Sequence, residues 1–470
     1  MSLDLNEYFN LGLDSTNNPI ENAGMQNVFR TPVDTSSANL NRITFKFPKT
    51  GLLTADSMIT LQPILGDSSA ATSTLTPNLV NGVIGAIKRT RILVDNKVLV
   101  DLERPGLAEN VKLYSRHTQV ELAEKEYKLM GNQFRTQTNE DGTEGFNVAD
   151  TRIVKNATGN LTSCSKNIIL QENTSKVYGI PLRHLGADFL EAASLPVFLL
   201  GHREMILELE FFADCREYVC SPQTDTINAD SVKINLANAE LVSTHIVLPP
   251  DVEAQEVANM ARQPVQYPLL DTYVIKGVVD TSTTDLDKTK IENYRINFQN
   301  REVHNLMMCS VKNTITGTAI MGNQFATSLG DESLQLKVNG LNLFDRPIST
   351  QPMLYQLTTY SEDGRTLKIP YNAWAVTRQS LLAYQQPAVA SSGEYYDYRG
   401  GFHYIKVDLS NANSGVFGSG TVMKTACEIE HSITPRTATS PNQKVKMDVF
   451  FYATISKLMT LGASQVNISY

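Results

Sequence analysis

No apolar run in the 470 residues approaches the ~20 that a membrane-spanning helix needs; LPVFLLG is among the longest. The opening MSLDLNEYFN is acidic and has no apolar segment, so no secretory leader is expected. Five cysteines, Cys164, Cys215, Cys220, Cys309 and Cys427, are an odd number scattered over a long chain. That excludes a disulfide framework and points to a reducing compartment. A basic excess is also missing, since 41 Lys and Arg face 49 Asp and Glu, for a formal charge of −8. A nucleic acid held by bulk charge is excluded, and no sequence-specific nucleic-acid contact is expected. The one small basic cluster, Lys88-Arg89-Thr90-Arg91, leads into an alternating stretch and reads as a solvated strand end.

Catalytic and metal-binding sets are missing too. Cys215 and Cys220 in CREYVC have no second pair at zinc spacing, and a structural zinc needs four ligands. His202 and Glu204 in GHREM, expected on one face of a strand, have no partnering Cys-x-x-Cys. His117, His184, His245, His304, His403 and His431 are scattered. No Gly-x-Ser-x-Gly elbow or phosphate-cradling loop occurs. The acidic group Asn139–Gly145 lacks the spaced ligands of a calcium loop and reads as a solvated turn. No catalytic, cofactor-binding or metal-binding residue is assigned, no cofactor is expected, and an enzyme is not expected. Asn156, Asn160, Asn173 and Asn467 open Asn-x-Ser/Thr triplets, which an Asn-rich chain makes by chance.

What is present is strand after short strand. Hydrophobic residues make up 41% and charged residues 19% of a chain long enough for two or three domains. Halves of this size bury roughly 70–75% of the unfolded surface, so their cores need no staples. RITFKFP, SMITLQPIL and TRILVDNKVLVDL read as strands, the last as two strands around a bend at Asp95-Asn96. In EMILELEFF, Met205, Leu207, Leu209 and Phe211 share one face while Ile206, Glu208 and Glu210 share the other, as in a half-buried antiparallel strand. Ahead of it, LGADFLEAASL sets Leu185, Phe189 and Leu190 on one side of two helical turns, stopped by Pro196. Residues 105–130 form the best helical candidate of this half.

After Pro250 and Asp251, Val257, Met260 and Ala261 share a helix face, and Pro264 ends the helix. This connector almost halves the ordered chain. The second half resumes with YRINFQNREVHNLMM, SLQLKVNGLNLFD, GFHYIKVDLS, ACEIEHSI and KVKMDVFFYATI, with QPMLYQLTTYSE as its main helical candidate. The expected layout is a polar N-terminal arm over 1–38, a first β unit over 39–245, a linker over 246–268 with one short helix, and a second β unit over 269–470.

Two matches suggest that the units are copies. ILELEFFAD from Ile206 resembles KMDVFFYAT from Lys446, with inner and outer faces in step. ILVDNKVLVDLERP from Ile92 resembles LKVNGLNLFDRP from Leu336, setting Val94 on Val338, Asn96 on Gly340, Leu99 on Leu343 and Arg104 on Arg346. Two matches in order at nearly one offset point to a tandem duplication.

Three stretches then carry a resemblance: IPLRHLGADFLEAASLPVFLLGHREMILELEF, VIGAIKRTRILVDNKVLVDL and the connector VLPPDVEAQEVANMARQPVQYPL. With the duplication, they are similar to the double jelly-roll major capsid proteins of icosahedral double-stranded DNA viruses, including large DNA viruses, virophages and polinton-like viruses. The connector lacks the charged helix frequent in that family, and the second half has no copy of the IPL…LP segment. The resemblance implies an all-β fold of two tandem eight-stranded antiparallel jelly rolls, with short helices in loops and linker. It implies a structural subunit whose homotrimers are pseudo-hexameric capsomers tiling a virion shell. The partners implied are the chain itself, neighbouring capsomers, penton and minor capsid proteins, and an internal membrane where one exists. The implied location is the virion, with synthesis and assembly inside the host cell and no secretion. Residues 131–178 and Gln385–Gly401 are the candidate outer loops. The alternative is a tandem β-sandwich attachment protein binding carbohydrate or a receptor, for which Trp374 and the tyrosines of GEYYDYRG would supply stacking rings.

Overall fold

Period-2 alternation becomes sheet wherever one face can be buried. At Met205–Phe211 the four expected residues are buried and Ile206, Glu208 and Glu210 half-buried. The computed structural model describes residues 26–34, 41–65, 78–79, 82–109, 129–130, 136–138, 144–146, 153–155, 161–163, 177–220, 228–281, 284, 288–312, 331–347, 404–410, 420–434, 446–463 and 465–469.

The principal strands of the first half are β1 (Gln26–Pro32), β2 (Arg42–Lys46), β3 (Leu52–Leu53), β4 (Met58–Leu61), β5 (Ile87–Val94), β6 (Lys97–Glu103), β7 (Tyr178–Pro181), β8 (Leu195–Pro196), β9 (Met205–Phe211) and β10 (Glu240–Ile246). They form a four-stranded sheet, β2-β9-β5-β6, and a six-stranded one, β7-β4-β10-β3-β8, with β1 also on β10. The second half has β11 (Val265–Asp280), β12 (Lys290–Ile296), β13 (Glu302–Lys312), β14 (Asp331–Val338), β15 (Leu341–Asn342), β16 (Tyr404–Asp408), β17 (Thr421–Val422), β18 (Cys427–Thr434), β19 (Lys446–Leu461) and β20 (Val466–Ser469). Its four-stranded sheet is β12-β18-β14-β15. Its six-stranded sheet is β11-β19-β13-β16, with β17 on β13 and β20 on β19.

The two halves have one topology. If β3 and β4 count as one bent strand, both being paired with β10, and the short β8, β17 and β20 are set aside, each half has eight strands split between two sheets. In each half the first of these eight lies beside the last, and the second lies beside the seventh. All these pairings are antiparallel, which is the double jelly roll.

Three sequence expectations need correction. First, Gln26–Pro32 is not part of an arm but the first strand of the first roll, with a seven-residue ladder to β10. Its polar composition suits an edge strand, since most of its side chains are exposed and only Phe29 and Thr31 tuck inward. Second, β9 is not the counterpart of the last long strand. β9 sits between β2 and β5, and its topological equivalent is β18, between β12 and β14. The equivalent of β19 is β10. Similar face patterns on different strands made the false match. The hairpin match holds, because β5–β6 and β14–β15 are the same hairpin. Third, the connector helix spans Pro250–Arg262 as expected but buries Glu256 and Met260, leaving Val257 and Ala261 exposed.

Before β9, a 3-10 turn (Leu182–Leu185), a short helix α1 (Phe189–Ala192) and a second 3-10 turn (Val197–Leu200) bury Leu182, Leu185, Phe189 and Leu190. Of the 105–130 helical candidate, residues 105–109 are helical and 129–130 form a turn, while 110–128 lie outside the described residues, as does QPMLYQLTTYSE. Both hairpin turns take the left-handed geometry of a type I′ turn. Asp95 and Asn96 have φ 51° and 62°, and Asn339 and Gly340 have φ 50° and 82°.

Candidate assembly interface

The strand β19 explains how two rolls become one body. Its core reads MDVFFYATI, with almost no alternation in polarity. Val449, Phe451, Ala453 and Ile455 fill the core of the second roll. Phe450 and Tyr452, on the opposite face, join the core of the first. A strand buried on both faces loses the polar half of its pattern. Tyr267, Leu269, Met307, Cys309 and Val311, from β11 and β13, extend the same face.

The first roll meets this face with β6 and α1. Several polar groups at the seam are paired. The Tyr452 hydroxyl donates to the Glu103 carbonyl at 3.2 Å. The Tyr267 hydroxyl donates to the Ala193 carbonyl, its ring edge-on to Phe189 with centroids 6.5 Å apart. Arg203 donates to the Gly462 and Ala463 carbonyls at 2.9 and 2.8 Å, and Lys97 to Val466. Arg104 lies over Phe212 of the first roll at 4.9 Å and Phe450 of the second at 5.6 Å. Such a cation is worth most when desolvated, as this one is.

At the centre, Lys457 forms a buried ion pair with Asp271 at 2.5 Å and donates to the Leu99 carbonyl at 2.9 Å. Burial pushes the Asp271 carboxyl up to about 6, against the pull of the Lys457 ammonium. Burial also raises the Tyr452 hydroxyl far above its ordinary range.

The residues flagged in the sequence fall elsewhere. Cys215, Cys309 and Cys427 are free and buried. Burial pushes Cys215 up to about 11 and Cys427 up to about 12, which keeps both as inert thiols. Cys220 ends a two-residue strand with Val219, and Cys164 lies outside the described residues. His202 and Glu204 sit in the turn ahead of β9, not on the strand, and Glu204 pairs with Lys46 at 3.2 Å. His184 is buried against Glu109 at 2.6 Å and so ties the IPL segment to the 105–109 turn. His245 donates from Nδ1 to the Thr50 carbonyl, and His304 meets Ser456. His431 is buried on β18. His117 and His403 lie outside the described residues, as do Asn156, Asn160, Asn173, Trp374, the segment Gln385–Gly401 and most of 131–178. Asn467 is exposed on β20. Among the described residues, no three His, Cys, Asp or Glu side chains gather as a metal site.

The basic cluster is neutralised across the sheet. Lys88 pairs with Glu210, Arg89 with Asp101, and Arg91 with Glu208, which Arg42 also reaches.

No family model and no curated protein matches this sequence. Solved structures do match its fold. The crystal structure of PBCV-1 VP54, fitted into a reconstruction of the virophage Sputnik, aligns over 95% of this chain and 96% of its own, with a TM-score of 0.57 and 10% identity. The Faustovirus major capsid protein aligns over 96% and 92%, at 0.54 and 8%. The mavirus major capsid protein aligns over 97% and 93%, at 0.50 and 12%. The described residues of the chain have the double jelly-roll fold in both halves.

Proposed function

We propose that this chain is a major capsid protein, the structural subunit of an icosahedral virus shell. The observation that carries this reading is the seam: two rolls of one topology share an apolar face, in a chain whose fold aligns over 92% and 93% of two major capsid proteins. Three such chains present six similar rolls around a threefold axis. One gene product then fills a hexagonal lattice position, because head-to-tail contacts close into a ring when the rotation closes. The role is structural and non-enzymatic, and the chain is a component of the virion, made and assembled inside the host cell rather than secreted. Its partners are its own copies within a capsomer, neighbouring capsomers, penton and minor capsid proteins, and an internal membrane where the virus has one.

Light scattering on the purified 52.0 kDa chain, followed by negative-stain imaging, tests this. The expected result is a stable mass of three chains with hexagonal outlines. A monomer under all assembly conditions overturns it, and glycan binding by that monomer supports an attachment protein instead.

A further inference from the structure

The buried pair at the seam holds an amine and a carboxyl within reach of each other, away from water. In the antiparallel register Lys457 lies opposite Leu269, one diagonal step from Asp271, so the two side chains share a face. Lys457 is 3% exposed and Asp271 5%, and Leu99, Leu269 and Met459 belong to the apolar core of this region. Lys457 Nζ sits 2.5 Å from Asp271 Oδ2, and its donation to the Leu99 carbonyl at 2.9 Å holds the nitrogen in place. Other lysine–carboxylate pairs, Lys276 with Asp448 and Lys88 with Glu210, keep their lysines in contact with water.

Two full charges are costly in such a site, because their attraction repays only part of the lost hydration. The charged groups acting on Asp271 are Lys457 on β19 and Asp188 just ahead of α1. Burial, and then the negative charge of Asp188, push the carboxyl toward its neutral acid against the pull of Lys457. A neutral acid beside an amine has a reaction open to it. Proton transfer from the ammonium to Asp271 Oδ2 gives the free amine and the carboxylic acid. The Nζ lone pair attacks Cγ, a Nζ–Cγ bond forms, and a second Nζ proton passes to Oδ2. The Cγ–Oδ2 bond breaks and Oδ2 leaves as water. Ammonium and carboxylate thus become one uncharged amide, with no other reactant. Fixed proximity favours the attack, and the dry site disfavours hydrolysis of the product.

We infer that Lys457 and Asp271 form an intramolecular isopeptide bond after folding, which staples the first strand of the second roll, β11, to its last long strand, β19. The bond closes the second roll at the face it shares with the first. Until it forms, the chain carries the ion pair and its pH dependence. The inference concerns one chain and stands apart from the assembly reading.

The test is the intact mass of the purified full chain, denatured after it has been held folded near pH 6 for days. The expected mass is lower than that of the sequence by one water. A tryptic digest is expected to give peptides 263–276 and 447–470 joined as one species. Lys457→Met and Asp271→Ala are each expected to abolish the loss, and Lys88→Met to keep it. Asp188→Asn is expected to slow linkage at least about tenfold and to move its pH optimum downward. A wild type that is folded by circular dichroism and has its full mass overturns the bond, whatever the variants do. Loss of one water with the two peptides recovered apart also overturns it, because that water left a cyclised aspartate elsewhere. An unmoved pH optimum in Asp188→Asn overturns the part given to Asp188.

Discussion

The last strands of the two rolls, β10 and β19, occupy the same place in the same topology and are built differently. β10 is short, and its buried positions include Ser243, Thr244 and His245. β19 runs for 16 residues, and its core is aromatic and aliphatic on both faces. The difference follows from position, since only β19 separates two cores. A strand's sequence thus records how many of its faces are dry, more than which strand of the roll it is. That is why EMILELEFF, with one dry face, cannot be equated with MDVFFYAT, which has two.

The comparison is broken most strongly at Phe450. Truncation to Ala removes a fully buried ring from the seam and is expected to cost about 3–5 kcal/mol in urea unfolding. Val242→Ala, on the equivalent but uncovered face of β10, is expected to cost well under half of that. Equal losses would mean that the second face of β19 is no drier than that of β10.

Lys457 comes next. Lys457→Met leaves the Asp271 carboxylate buried without its cation, at an expected cost of about 3–5 kcal/mol near pH 7.5. The cost is expected to shrink near pH 5, where that carboxyl is protonated. The wild-type chain has its own pH dependence there. The folded value of Asp271, about 6, lies above its ordinary 3.8. Its stabilising contribution is therefore present below pH ~4 and lost as pH rises through about 6. Unfolding midpoints between pH 4 and 7 are expected to fall less steeply with rising pH in Asp271→Asn.

Asn339→Ala removes three hydrogen bonds at the second hairpin and a residue suited to positive φ, for an expected loss of about 1–2 kcal/mol. Lys88→Ala, at an exposed pair with Glu210, is expected to change stability by less than about 1 kcal/mol. A larger loss there would show that the charged face of the first roll is covered.

Much of the fold was legible in the sequence. The alternation of β9, the bend at Asp95-Asn96, the repeated hairpin and the Pro250 helix start all follow from local rules. What escaped was set by long-range pairing. Gln26–Pro32 carries too few apolar residues to announce a strand, because its backbone ladder to β10, more than 200 residues away, is what holds it. The connector helix hides Glu256 rather than Val257 because packing, not hydropathy, chose its face. The seam was visible only as the missing alternation of β19, which was matched to the half-buried strand ILELEFFAD although both of its faces are buried.

The place of β19 in the chain has a consequence for synthesis. It follows every other strand of both rolls except β20, yet it supplies a wall to each core. On a ribosome, neither roll can finish closing until residues 446–461 have emerged, however early β2 to β10 meet. A chain cut short before that point keeps an open apolar face on both rolls and is a target for chaperones and proteases. The seam thereby makes completion of translation a condition for stable folding.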